Sequence, residues 1–323
     1  MPRILVVAPN WIGDALMAQP LLARLREKLP AVRIDVLAPA WVAPVVRRMP
    51  EVAEVIETRF RHGALELRER WRLGRSLRSR GYDQAFVLPN SWKSALVPFF
   101  ADIPLRSGYV GESRFGLLNL KYRDPKTRDA MAMHYARLSE KPGKEPAEPL
   151  PQPRLKVDAA AAEATARRFG FEHRFVALCP GAEYGSAKRW PGFADLARRL
   201  RRPVVLLGSA KDRDACATIA GRNLAGETTL DEAIDLIGCA ECVVTNDSGL
   251  MHVAAAVGTP LVAIFGSSSP EHTPPLSAGA RIVWLRLDCS PCFARECPLG
   301  HLRCLREITP ERVLREIENL GSE

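Results

Sequence analysis

The feature that most restricts how this chain can fold is a recurring pair of patterns. A run of four or five aliphatic residues ends at a proline, glycine or asparagine, and a stretch with helical periodicity follows. Residues 4–8, ILVVA, lead straight into Pro9 and Asn10. With no polar residue alternating in it, such a run fits a strand covered on both faces. The first half continues with a helical pattern at 15–28, a strand at 33–37, a helix at 41–48, a short strand at 54–57, a helix at 64–80, a strand at 84–88 and a weaker one near 106–109. In the second half the spacing predicts strands at 175–179, 203–207, 242–245, 261–265 and 281–287, with helices at 193–200, 212–220, 230–239, 249–257 and 310–320. Strands and helices in alternation mean parallel sheets with helices on both faces. The break falls at 139–153, SEKPGKEPAEPLPQP, whose five prolines in fifteen residues predict an extended linker. The expectation is two doubly wound α/β domains, 1–152 and 153–323.

The 323 residues suffice for two cores. With 47% hydrophobic and 26% charged residues, the disordered, collagen-like and disulfide-scaffold classes drop out. No apolar stretch approaches the roughly 20 residues of a membrane-spanning helix, and the start lacks the zones of a signal peptide. A cytoplasmic location is expected, and eight cysteines there argue for packing or metal before disulfides. Charge divides unevenly. Residues 1–155 hold 26 Lys and Arg against 16 Asp and Glu, and residues 156–323 hold 20 against 21. The first half is therefore suited to a polyanion: nucleic acid, an anionic membrane surface or a phosphorylated substrate.

Ligands of doubly wound sheets collect beyond the carboxyl ends of the strands. Three loops there carry chemistry. The first, Asn10-Trp11-Ile12-Gly13-Asp14, sets Asp14 beside Trp11 and Ile12, where partial desolvation would make its carboxylate a better proton acceptor; capping of the next helix explains it equally well. The second runs from Pro180 to Pro191. Its small residues Gly181, Ala182, Gly185 and Ser186 let backbone N–H groups approach a phosphate, and Lys188 and Arg189 add positive charge, unless the glycines merely build a turn. The third, Thr245 to His252, places Asp247, Ser248 and Gly249 at a helix start that could face a diphosphate or carry an ordinary cap, with His252 one turn on. Neither G-x-G-x-x-G in the first loop nor a Walker A motif anywhere is present.

Weaker signals remain. Asp212-Arg213-Asp214 matches a D-x-D pattern that could hold a divalent ion, although helix-start carboxylates need no such role. Cys289, Cys292, Cys297 and Cys304 could enclose a metal, form redox pairs or simply pack as thiols. Between Arg59 and Arg80 eight arginines face two glutamates; Leu67, Trp71, Gly74 and Leu77 make the expected buried face of that helix, and Arg68, Arg72 and Arg75 a basic stripe for an anionic partner or for solvent.

Read together, ILVVAPNWIGDALMAQPLL, YDQAFVLPNSWKSAL, PGAEYGSAKRWP, LLGSAKDRD, VVTNDSGLMHVAAAVGTPLVAIFG and CSPCFARECPLGHLRCL resemble the heptosyltransferases of glycosyltransferase family 9, over nearly the whole chain. The cysteine-rich tail favours the type II branch. The resemblance implies the GT-B architecture, two facing Rossmann-like domains with a central cleft. It also implies inverting transfer of L-glycero-D-manno-heptose from ADP-heptose onto the first heptose of heptosyl-Kdo2-lipid A, at the cytoplasmic face of the inner membrane. Residues 1–152 would then bind the anionic lipid A-core acceptor, and residues 153–323 the nucleotide sugar. By the same resemblance Asp14 is the catalytic base and Lys188 the diphosphate lysine. Asp247, Ser248, Gly249 and His252 form the donor motif, joined by Gly181, Ala182 and Ser186, with Asp212 near the donor ribose. Ser186 replaces a more usual proline. Asn10, Lys93 and Arg114 are acceptor candidates. No cofactor is required and no metal site is assigned, magnesium being the optional ion. The membrane surface is a peripheral partner, and nucleic acid is not a partner. On the residues alone, another GT-B transferase or nucleotide-sugar epimerase, a zinc-containing nucleic-acid-binding protein and a thiol-based sensor stay open.

Overall fold

The computed structural model describes residues 1–61, 63–124 and 129–320. The chain divides into two compact units, Met1–Gln152 and the part from Pro153 onward. In the first, β1 (Arg3–Val7), β2 (Arg33–Pro39), β3 (Val52–Thr58), β4 (Gln84–Val87), β5 (Leu105–Tyr109) and β6 (Leu120–Tyr122) form one parallel sheet in the order β3-β2-β1-β4-β5-β6. The second unit repeats that winding. Its strands β7 (Val176–Cys179), β8 (Val204–Leu206), β9 (Arg222–Asn223), β10 (Cys242–Asn246), β11 (Leu261–Ile264) and β12 (Ala280–Val283) run parallel in the order β12-β11-β10-β7-β8-β9.

In each sheet the chain winds outward on one side of its first strand, then crosses back to the other. The direction reverses between β1 and β4, and again between β7 and β10. A crevice opens at such a reversal, because the connections on its two sides leave toward opposite faces of the sheet. The central strands are buried along almost their whole length. Leu5, Leu37, Ala85 and Val87 pack in the first core, and Leu178, Phe193, Val244, Ile264 and Leu305 in the second. Truncating one of the larger aliphatic side chains to alanine costs about 2–5 kcal/mol.

Several local departures have simple causes. The helix expected over 15–28 is two, Ile12–Met17 and Gln19–Lys28, since Pro20 starts the second and lacks the N–H needed to continue the first. Helix Ala159–Arg168 escapes the periodicity because it buries only Ala162 and Ala166; Asp158 caps it, accepting from Ala161 N–H at 2.9 Å. The proline-rich stretch has no helix or strand beyond Ser139 and contains the division between the units, and its first part is tied down. Arg24 donates to the carbonyls of Ala147 and Pro149 at 2.6 and 2.7 Å, and Lys28 to that of Ser139 at 2.8 Å, which straps the stretch to helix Gln19–Lys28.

Helix Leu67–Leu77 is rotated from the expected orientation. It buries Arg70, Gly74 and Leu77, leaving Leu67 and Trp71 exposed. Gly74 is the reason: a Cβ there would lie 2.5 Å from Phe100 Cβ, so the helix presses its glycine side against helix Leu96–Phe100. Arg70 follows inward, donating to the carbonyls of Leu65 and Lys93 with its guanidinium 4.1 Å from the Phe60 ring centre. Among the described residues no helix is long and apolar enough to cross a membrane.

Candidate active site

In the second unit, the loops after β7 and β10 meet where the winding reverses. Asn246, fully buried, joins them: its amide donates to the Pro180 carbonyl at 2.7 Å and its Oδ1 accepts the Trp190 N–H at 3.1 Å. That clamp brings Lys188, from the 3-10 turn Ser186–Lys188, to Asp247, whose Oδ2 lies 2.5 Å from Lys188 Nζ. Lys188 keeps 16% of its side chain exposed and Asp247 5%, so the pair is largely buried, with the lysine its more accessible member. Thr273 Oγ1 also reaches Asp247 Oδ2 at 3.4 Å, and the Lys188 ammonium stands 5.2 Å from the Tyr184 ring centre.

Helix Gly249–Val257 begins beside this pair. Ser248 stands at its N-cap position, yet its hydroxyl makes no capping bond and lies 3.3 Å from Thr245 Oγ1. The first N–H groups of the helix, with the positive end of its dipole, therefore add to the ammonium in favouring an anion. His252, one turn in, is buried, and burial brings its pKa down to about 4; Lys188 pushes the same way and Asp247 opposes. At neutral pH it is an uncharged imidazole.

Gly181 passes directly over Asp212. A Cβ on Gly181 would lie 2.5–2.6 Å from the Asp212 carboxylate, so only glycine fits. Asp212 Oδ2 accepts from Ser209 N–H and Oγ at 3.0 and 2.7 Å, and Oδ1 lies 3.7 Å from Arg189. This buried carboxylate braces the loops after β7 and β8. The exposed carboxylate here is Glu183, paired with Lys211 at 2.6 Å. Ser186 is exposed at the loop tip.

The cysteine-rich tail supports the same loop. The Arg295 carbonyl accepts the Ala187 N–H at 3.0 Å, and that of Phe293 accepts the Tyr184 hydroxyl at 2.9 Å. A Cβ on Gly185 would lie 2.3 Å from the Arg295 oxygen. All eight cysteines are free thiols. Burial first, then the neighbouring Cys289, Cys292 and Cys297, push the Cys304 thiol up to about 11, while backbone N–H groups, that of Leu302 foremost, lower Cys297. Among the described residues no three His, Cys, Asp or Glu side chains are placed to hold a metal ion, at the D-x-D segment or in the tail.

The first unit carries a cavity of about 420 Å³ beyond the ends of β1 to β4. Asn10 and Lys93 line it together with Trp41, Phe60, Arg61 and Trp92. Lys93 Nζ donates to the Gly63 carbonyl at 2.8 Å, and the Asn10 carbonyl accepts from Trp41 Nε1 at 2.9 Å. Asp14 lies in the first turn of helix Ile12–Met17, half-buried and outside the cavity's lining. Its carboxylate reaches Tyr135 electrostatically: burial chiefly, and the Asp14 charge next, hold that phenol protonated.

Arg114 does not face this cavity. It is buried, donating to the Pro89 carbonyl at 2.8 Å, to Asn90 Oδ1 at 3.2 Å and to the Tyr109 carbonyl. It stitches the loop after β4 to the end of β5.

Comparison with known proteins follows the same lines. The family described as glycosyltransferase family 9 (heptosyltransferase) matches residues 70–303. Lipopolysaccharide heptosyltransferase 2 of Escherichia coli K12 is 46% identical, the match covering 98% of each chain. Lipooligosaccharide heptosyltransferase 2 of Haemophilus influenzae is 43% identical over 98% of this chain and 99% of its own. The solved structure of E. coli ADP-heptose lps heptosyltransferase II superposes with a TM-score of 0.88 at 44% identity, over 98% of both chains. The E. coli heptosyltransferase WaaC with ADP, at 20% identity and a TM-score of 0.72, shares the fold, covering 99% of this chain and 100% of its own. The two parallel sheets are those of the GT-B fold, and the chain belongs to glycosyltransferase family 9, the heptosyltransferases.

Proposed function

We propose that this glycosyltransferase moves L-glycero-D-manno-heptose from ADP-heptose onto the first heptose of the lipopolysaccharide inner core, heptosyl-Kdo2-lipid A, working peripherally at the cytoplasmic face of the inner membrane. The observation that carries the reading is the Lys188–Asp247 pair at the β7/β10 reversal, next to a helix start without a side-chain cap. A single ammonium and several backbone N–H groups around one point suit the diphosphate of a nucleotide sugar better than a neutral ligand. The names of the relatives, lipopolysaccharide heptosyltransferase 2 and ADP-heptose lps heptosyltransferase II, support heptose as the sugar and ADP as its carrier. Arg61 and Lys93 beside the aromatic rings of the cavity suit an anionic sugar acceptor.

The reaction is a single displacement. Asp14 accepts the proton of the acceptor hydroxyl as that oxygen bonds to the anomeric carbon. The bond from that carbon to the phosphate oxygen breaks, its electron pair leaves with ADP, and the anomeric configuration inverts. Lys188 and the amides near Gly181, Ala182, Ser248 and Gly249 stabilise the charge growing on the diphosphate, while Asp247 orients Lys188. Donors fixed in advance contribute a few kcal/mol each, and a positioned base about 10²- to 10⁴-fold in rate.

The test has two arms. In a thermal-shift panel ADP raises the melting temperature more than UDP or GDP, and ADP-heptose is consumed only when acceptor is present. A preference for UDP overturns the donor assignment, and consumption without acceptor overturns the transfer.

A further inference from the structure

Of the large apolar side chains exposed among the described residues, all but Tyr184, Ile282 and Leu299 belong to the first unit, the part that also carries the charge excess. Several of them are arranged with cations. Phe99, on helix Leu96–Phe100, is 40% exposed, and the Arg106 guanidinium stands 5.5 Å from its ring centre. The same guanidinium donates to the carbonyls of Ile103, Leu117 and Gly116 at 2.6, 2.7 and 3.4 Å, so the loop bearing Phe115 is tied to the surface beside Phe99. Phe115 is 76% exposed, with Lys121 of the edge strand β6 5.4 Å from its ring centre. On the adjoining helix Leu67–Leu77, Trp71 is 48% exposed with Arg75 5.8 Å from its ring.

We infer that this face, centred on Phe99, Arg106, Phe115 and Lys121 and continued by Trp71 and Arg75, docks the protein on an anionic lipid bilayer. Rings that project with a cation at their side match the two layers of a membrane surface: the ring enters the boundary of the acyl chains, and the cation stays level with the phosphates. A wholly apolar face would suit a second protein, and a wholly basic one a nucleic acid. The alternation of the two, on the unit with the positive excess, fits neither partner as well. Binding of this kind combines buried apolar area with attraction to anionic headgroups, so it depends on both the rings and the lipid charge. The inference rests on the proposed function, in which the acceptor is itself a membrane lipid.

The experiment is vesicle co-sedimentation with the full chain. Vesicles of phosphatidylethanolamine with phosphatidylglycerol are compared with phosphatidylcholine alone, for wild type, Phe99→Ser/Phe115→Ser, Lys121→Glu and, as a control on the other unit, Ile282→Ser. The expected result is preference for the anionic vesicles, a loss of at least about tenfold in binding for the double variant and for Lys121→Glu, and none for Ile282→Ser. The single variant Phe115→Ser keeps the test valid if the double variant melts early. Release of ADP with a deacylated, water-soluble acceptor stays at the wild-type rate in the surface variants; if even wild type lacks that activity, the functional reading has failed while docking is still judged by sedimentation. Equal binding to phosphatidylcholine, variants that sediment like wild type, or displacement from anionic vesicles by DNA without any effect of the ring substitutions overturns the inference.

Discussion

Replacing Lys188 by Met separates what the Lys188–Asp247 pair does for folding from what it does for the donor. Asp247 is 5% exposed, so losing the ammonium leaves a carboxylate in a mostly dry site with Thr273 at 3.4 Å as its remaining side-chain partner shown. Breaking a buried pair from one side costs about 3–5 kcal/mol. Lys188 keeps 16% exposure, so the lower figure applies, about 3 kcal/mol. In a unit of this size that lowers the melting temperature by roughly 6–12 °C. ADP loses one charge-assisted hydrogen bond, about 1.5–3 kcal/mol, or roughly 10- to 150-fold in affinity. Adding Asp247→Asn removes the stranded charge, so Lys188→Met/Asp247→Asn regains most of the stability and none of the ADP affinity. The assays are thermal melting and calorimetric titration with ADP. A single variant that melts and binds ADP like wild type refutes the reasoning, as does a double variant no more stable than Lys188→Met.

The His252 pKa, about 4 in the fold against 6.5 in an open chain, makes stability depend on pH. Because the folded value is depressed, this contribution is complete above pH 6.5 and is lost as pH falls from 6.5 toward 4, by about 3 kcal/mol in all; in denaturant melts across that window, His252→Gln should flatten the fall. Gly181→Ala drives a methyl group into the Asp212 carboxylate and should cost about 1–3 kcal/mol in stability together with a weaker ADP titration, while Gly143→Ala, with no neighbour within 4 Å but φ +83°, should strain only its own turn and leave ADP binding unchanged. Arg114→Met strands the carbonyls of Pro89 and Tyr109 and the Asn90 side chain, so it should lower the melting temperature and also raise the acceptor KM through the displaced loop, with ADP affinity unaltered.

The parallel sheets were legible because β1, β7, β10 and β11 are covered on both faces and so read as unbroken apolar runs. Strands β6 and β9, three and two residues long at sheet edges, leave no such pattern. The Lys188 and Asp247 loops stood out by their glycines, charges and place after strands. What the sequence could not show is direction. Arg114 and Arg70 look like surface cations until their guanidinium groups are seen turned onto backbone carbonyls, and Trp71 looks like core until Gly74 is seen to take the contact face. Asn246 had a signal, an amide next to Asp247 at the end of a buried strand, but its role needs the second loop in space. The cysteines drew attention to a tail whose backbone, through the Phe293 and Arg295 carbonyls, is what supports the loop carrying Lys188.

The most direct measurement is the acceptor-dependent release of ADP from ADP-heptose by wild type and by Asp14→Asn, with ADP affinity titrated in the same preparations. Removing a positioned base should lower turnover by at least about 100-fold and leave ADP affinity within about twofold of wild type. Turnover near the wild-type rate in Asp14→Asn contradicts the account.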